Sequence, residues 1–143
     1  MTAFIDEKKA EWQYMSAETK SGYMASVLMG WYLEGGSDHD IYWCDKDDNA
    51  RVRVDEWDPT TNLQQAAQVL DTFGPAWVFQ CHRQSNCGEY TWEAVLFSPD
   101  LEKTRTFVAN GKSECDVRCQ VLFLAHESTT RNKPGLSQRR NND

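Results

Sequence analysis

Hydrophobic and polar positions along the chain change period several times, and each change predicts an element. From Ser16, a residue suited to capping a helix, the side chains Tyr23, Met24, Val27, Leu28 and Trp31 fall on one broad helical face that ends near Gly30 and the Gly35-Gly36 pair. The β-rich run Ile41-Tyr42-Trp43-Cys44-Asp45, the polar Lys46-Asp47-Asp48-Asn49 and the alternating segment from Arg51 to Trp57 predict a hairpin. Its Val52 and Val54 are expected on a buried side, with Arg51, Arg53 and Asp55 on a wet one. Trp57-Asp58-Pro59-Thr60-Thr61-Asn62 then passes strand to helix. Pro59 disfavours the helical region at Asp58, and Thr60, Thr61 and Asn62 each carry an oxygen that can accept from a first-turn amide. Leu63, Ala66, Ala67, Val69, Leu70 and Phe73 follow helical spacing until Gly74-Pro75 stops the run.

Residues 76–82 and 90–97 predict a second hairpin, joined by a polar loop over 83–89 that is longer than the tightest two-residue turns. Residues 103–109 supply a further strand, and Ser113 with Asp116 opens a third helix from about Glu114 to Ala125. Residues 1–15 mix charge with isolated apolar positions and read as a mobile or loosely docked N-terminal arm that Phe4, Ile5 and Trp12 could pin to a surface. Residues 128–143 read as a disordered polar tail. The order is α-β-β-α-β-β-β-α. Hairpin links and amphipathic helices together predict a single layered α+β domain over 16–127, with a mainly antiparallel sheet of about five strands and three helices.

Composition narrows the partners. A formal charge of -7 and a pI near 4.9 disfavour any broad surface complementary to phosphates, so direct nucleic-acid binding is not expected. The five cysteines are an odd number, which suits free thiols in a reducing compartment rather than a paired framework. No leader-like apolar segment and no run approaching the roughly 20 apolar residues of a membrane span occurs, so a soluble cytoplasmic protein without membrane partners is expected. Most of the six tryptophans are expected in the core.

Three stretches carry a likeness to known proteins: Val27-Leu28-Met29-Gly30-Trp31, the Trp57-Asp58-Pro59-Thr60-Thr61-Asn62 helix entry leading to Ala66 and Val69, and Trp92 followed by a closing helix entered through Gly111-Lys112-Ser113. Over roughly residues 24–126 the chain resembles the phage ABA sandwich domain family, small tailed-phage proteins that include NinX-like members. The resemblance implies a phage or prophage origin, a layered α/β fold and a setting in the host cytoplasm. It brings no catalytic residues with it.

Asn110-Gly111-Lys112-Ser113 ahead of a helix is similar to the end of a phosphate-binding loop, but the glycine required five positions before Gly111 is Thr106. Cys81, Cys87, Cys115 and Cys119 with His82 and His126 lack the short spacing of common zinc sites, so no metal and no cofactor are expected. Neighbouring Cys81 and His82 on a strand point to opposite sides and make a poor nucleophile pair. Two constellations remain. Arg51, Arg53, Arg83 and Arg105 with Trp92 could hold the phosphates and stack the base of a nucleotide-like ligand. Asp45, Asp47 and Asp48 lie in an acidic segment that also includes Asp38, Asp40, Asp55, Glu56 and Asp58, and they could imitate a phosphate backbone toward a partner protein.

The expectation is a non-enzymatic phage accessory protein that inhibits a host defence, either by sequestering a nucleotide-like signalling molecule or by occupying a host protein. Sites shared between copies in a homo-oligomer are compatible with the first mode. The alternatives are an acidic DNA-mimic inhibitor of a host nucleic-acid enzyme and a hydrolase of a signalling nucleotide.

Overall fold

The computed structural model describes residues 2–35, 40–98 and 105–131. Within them the chain forms helices α1 (Thr2–Tyr14), α2 (Ala17–Tyr23), α3 (Leu63–Leu70) and α4 (Glu114–Arg131). Its strands are β1 (Tyr32–Gly35), β2 (Ile41–Cys44), β3 (Ala50–Arg53), β4 (Val78–Asn86), β5 (Glu89–Ser98) and β6 (Arg105–Gly111). The α+β class is as expected. The strands form two three-stranded antiparallel meanders, β1-β2-β3 and β4-β5-β6, in place of one sheet of about five. Asp38, Lys103, Thr104 and the tail from residue 132 onward lie outside the described residues.

The architecture follows from α4. Val117, Cys119, Gln120, Val121, Leu122, Phe123, Leu124, Ala125 and Ser128 are all buried, a run that covers every face of a helix with 3.6 residues per turn. Such a helix needs cover on all sides. One side is the second meander, where the register places Phe79, Cys81, Ala94, Leu96, Phe107 and Ala109 on one face, and these residues belong to the core or pack against it. The approach is closest at Gly111, where a β-carbon would stand 3.0 Å from Val117 Cγ1.

The other cover includes α1, which corrects the expectation of an N-terminal arm. Trp12 is fully buried, with its ring centroid 5.2 Å from that of Phe123 and its indole N–H 3.4 Å from Asp116 Oδ2. Two lysines tie α1 and α2 to α4: Lys8 Nζ lies 3.0 Å from Glu127 Oε1, and Lys20 Nζ lies 2.8 Å from Asp116 Oδ1 and 4.9 Å from the centre of the Trp12 ring. Tyr23 donates to Glu127 Oε2 at 2.8 Å. These contacts also explain why the last helix passes Ala125, the end expected from spacing alone, and carries Glu127 and Ser128 before it ends at Arg131.

Other boundaries shift for local reasons. Ser16 caps α2 as expected, accepting from Thr19 N. The following turn, Met24–Leu28, is a π-helix, and its extra residue rotates the later side chains by about 100°. Val27, expected on the apolar face, is therefore 42% exposed, while Trp31 is buried. Gly30, at φ +74°, ends the helical turn and frees Tyr32–Gly35 to form β1, a strand that helical spacing had concealed. The strand expected to reach Trp57 stops at Arg53 and becomes a 3₁₀ turn over Val54–Glu56. The loop expected over 83–89 is strand almost to its tip: Asn86 pairs with Glu89, and Cys87 and Gly88, at φ 53° and 84°, form a two-residue turn. Positive φ at both central positions is the turn geometry that matches the twist of a hairpin.

Replacing Trp12 by Ala is expected to reduce unfolding free energy by about 3–5 kcal/mol, as for other buried large-to-small changes, measured by urea denaturation. A loosely docked arm would lose no more than about 0.5 kcal/mol. The Glu127 carboxyl supplies a second prediction. Burial would raise its pKa, but the Tyr23 hydroxyl and the Lys8 ammonium outweigh burial and hold it below the usual carboxylate range. Its contribution is therefore complete above the unfolded value of about 4.3 and is lost as pH falls through the depressed folded value. In thermal melts from pH 6 to pH 3, Glu127→Gln should flatten the acid-side loss of melting temperature relative to the parent.

Candidate functional site

The junction from Trp57 to Asn62 is held almost entirely through Asp58. Asp58 Oδ1 accepts from Thr60 N at 3.1 Å, from the Thr60 hydroxyl and from Ser21 Oγ at 3.0 Å. The Asp58 carbonyl accepts from Thr61 N and Asn62 N, each at 3.1 Å. The Asp58 amide donates to Gln65 Oε1 at 2.7 Å, while Gln65 Nε2 donates to the Glu56 carbonyl at 2.8 Å. Of the three capping candidates, Asn62 serves, accepting from Gln65 N at 3.0 Å. Thr60 turns back to Asp58 instead, and its backbone and side chain are buried with Pro59.

Trp57 docks this junction on α2. Its indole N–H donates to the Ser21 carbonyl at 2.9 Å, and its ring stands edge-on to Trp31 with centroids 4.9 Å apart. Two hydrogen bonds from Ser21, one at its carbonyl and one at its hydroxyl, thus join a helix to a turn 36 residues away. Beside this seam lies a cleft of about 600 Å³ between α2 and the first meander. Its apolar lining includes Leu33 of β1, Trp43 of β2, Val54 and Trp57, and its carboxylates are Glu18, Asp55 and Asp58. Leu33 and Trp43 come together because they are register partners, with Val52 next in the same row.

The cleft carries surplus negative charge. Arg53 pairs with Asp55, donating from Nε and Nη2 at 3.2 Å to its two oxygens. The same guanidinium lies 3.4 Å from Asp40 and 3.6 Å from Glu56, so it is shared among three carboxylates. Asp55 and Asp40 raise its pKa still further.

The residues expected to hold a nucleotide are distributed over both sheets. Arg51 sits at a β-bulge in the first meander, 3.8 Å from Asp45, and Arg53 is engaged as described. Arg83 and Trp92 are brought together as direct cross-strand partners, with the Arg83 guanidinium 4.5 Å from the Tyr90 ring centre. Arg105 pairs with Ser98, six residues along β5 from Trp92, which is about 20 Å at 3.3 Å per residue. The acidic trio occupies the β2–β3 turn. Asp45 Oδ1 accepts from Asp47 N and Asn49 N at 3.0 Å, and Asp48, at φ 65°, accepts from the Tyr32 hydroxyl. The amides of Asn49 and Asp47 hold the Asp45 carboxyl below its usual range, and Asp48 pushes the Tyr32 phenol up to about 12. Two of the three aspartates therefore build the turn itself.

Among the described residues no three His, Cys, Asp or Glu side chains converge as a metal site. Burial raises the thiols of Cys81, Cys115 and Cys119. Gly111 is a paired strand residue packed on Val117, and Ser113 Oγ accepts from Asp116 N at 3.3 Å as a helix cap. His82 pairs with Glu93 at 3.2 Å across the outer face of the second meander. No described helix is long and apolar enough to cross a membrane.

The cleft was not anticipated from the sequence. Trp57 and Asp58 were legible as a junction, but Glu18 and Leu33 come from segments with no visible reason to meet them. The one available signal was the β-prone Trp31-Tyr32-Leu33-Glu34 run bracketed by Gly30 and Gly35. Compared with models of known protein families, the chain matches none, and no curated protein matches it.

Because Asp45 organises the turn, Asp45→Ala should lower the melting temperature while Asp47→Asn leaves it unchanged. Differential scanning calorimetry of the two variants checks this, and equal melting temperatures would contradict the assigned role.

Proposed function

We propose that this is a non-enzymatic accessory protein of phage type that blunts a host defence by occupying a host protein, with the cleft between α2 and the first meander as its contact site. The observation that carries this reading is the cleft itself. Its volume of about 600 Å³ falls within the roughly 300–1,000 Å³ of ligand-binding pockets. Leu33 on its wall is 55% exposed and Val54 is 37% exposed, which leaves apolar surface uncovered beside ordered backbone. The walls are preformed, because Ser21 fastens α2 to Trp57 and Asp58, so a partner would meet a site that needs little ordering.

Sequestration of an anionic nucleotide fits this cleft poorly. Glu18, Asp55 and Asp58 would oppose a phosphate, and Arg51 and Arg53 are paired with carboxylates. The resemblance to small phage proteins supports the accessory role, and the acidic balance of -7 favours a basic surface on the partner.

The test is affinity capture from host lysate with the parent protein and with Leu33→Arg, a change at an exposed position that should leave the melting temperature unaltered. A partner retained by the parent and lost from the variant is expected. An identical set of captured proteins from both would overturn the cleft as the contact site.

A further inference from the structure

We infer that the cleft receives a short basic segment of the partner protein, with the stem of an arginine or lysine lying along the apolar wall and its charged head among the carboxylates. This rests on the proposed contact role of the cleft and specifies its occupant. Two kinds of surface occur together in the cleft, and one occupant complements both. Leu33, Trp43 and Val54 form an apolar wall, and Glu18, Asp55 and Asp58 line the same cleft. A purely apolar occupant would take charged carboxylates out of water with no new cation in exchange, which is costly, and an anion would be repelled. Long basic side chains satisfy both surfaces, because their methylene stems bury against apolar walls while the heads stay at a polar margin.

Charge accounting points the same way. Arg53 pairs with Asp55 and is shared with Asp40 and Glu56, and no lysine or arginine is among the described residues that line the cleft beside Glu18 and Asp58. Asp58 uses Oδ1 for Ser21 and Thr60, which fixes the carboxylate in place at the wall. A guanidinium entering the cleft would add charge-assisted hydrogen bonds to groups already held in position. The cleft volume of about 600 Å³ has room for more than one side chain, hence a segment rather than a single residue.

The experiment is a fluorescence-anisotropy titration of the intact protein with a labelled eight-residue peptide of alternating arginine and glycine. The control is the same peptide with citrulline, which keeps the shape and removes the charge. The arginine peptide should bind at least tenfold more tightly than the citrulline peptide. Glu18→Gln combined with Asp55→Asn should weaken it at least tenfold. Asp6→Asn with Glu7→Gln, an equal change in net charge on α1, should alter affinity by less than twofold, and all proteins should share one melting temperature within a few degrees. Equal binding of the citrulline peptide would overturn the inference. So would equal weakening by the α1 pair, because attraction would then be a property of the whole acidic surface, and so would binding of free spermidine in place of the peptide. If the peptide fails while Leu33→Arg still loses a captured host protein, the basic-segment assignment falls and the contact role stands; if both fail, both fall.

Discussion

The fold depends on a single helix having no wet side. Alpha-helix α4 buries residues in every direction from Val117 to Ala125, so it is stable only when surrounded. The second meander can cover one side. The remainder has to come from elsewhere in the chain, and that demand recruits the N-terminal segment through Trp12. The ion pairs of Lys8 with Glu127 and Lys20 with Asp116 lie at the margin of this contact. There they orient α1 and α2 on α4, and the buried aromatic surface contributes the larger share of the energy.

Once α2 is placed by that packing, the Trp57–Asp58 junction has a fixed surface to meet. Ser21 supplies both the acceptor for the Trp57 indole and the donor to the Asp58 carboxylate. The same Asp58 oxygen holds Thr60, and its carbonyl receives the first amides before α3. One acidic residue thus connects an inter-element contact with the start of a helix. Its hydrogen bonds are charge-assisted and partly buried, the class in which a missing partner costs most.

The cleft is a consequence of the same arrangement. The first meander is short, four residues per strand, and β1 is exposed along its length. It reaches the core through Trp43 and Val52, leaving Leu33 and the turn at Val54 to face an open space beside α2. The acidic residues there are Glu18 of α2, Asp55 and Asp58. They border apolar side chains, the combination on which the proposed recognition of an amphipathic cation rests, whereas the arginines expected to hold a nucleotide are spread over the two sheets.

Several features were decided by the sequence alone, because they depend on residues within a few positions of one another: the cap at Ser16, the halt at Gly74-Pro75, the entry at Asn62, the hairpins and the cap at Ser113. The strand at 32–35 and the two-residue tip at Cys87-Gly88 were also local, but they were hidden, the first by an apparent helical period and the second by polar composition. What only the tertiary structure settled was everything set by long-range cover. Trp12 looks like one apolar residue in a charged stretch until α4 is seen to need it, and Leu33, Glu18 and Asp55 share a cleft because three separate elements were drawn to one core. Spacing along a chain reports which face of an element is apolar; it carries no record of which other element will bury that face, and at that level the division into two sheets, the docking of α1 and the position of the cleft were chosen.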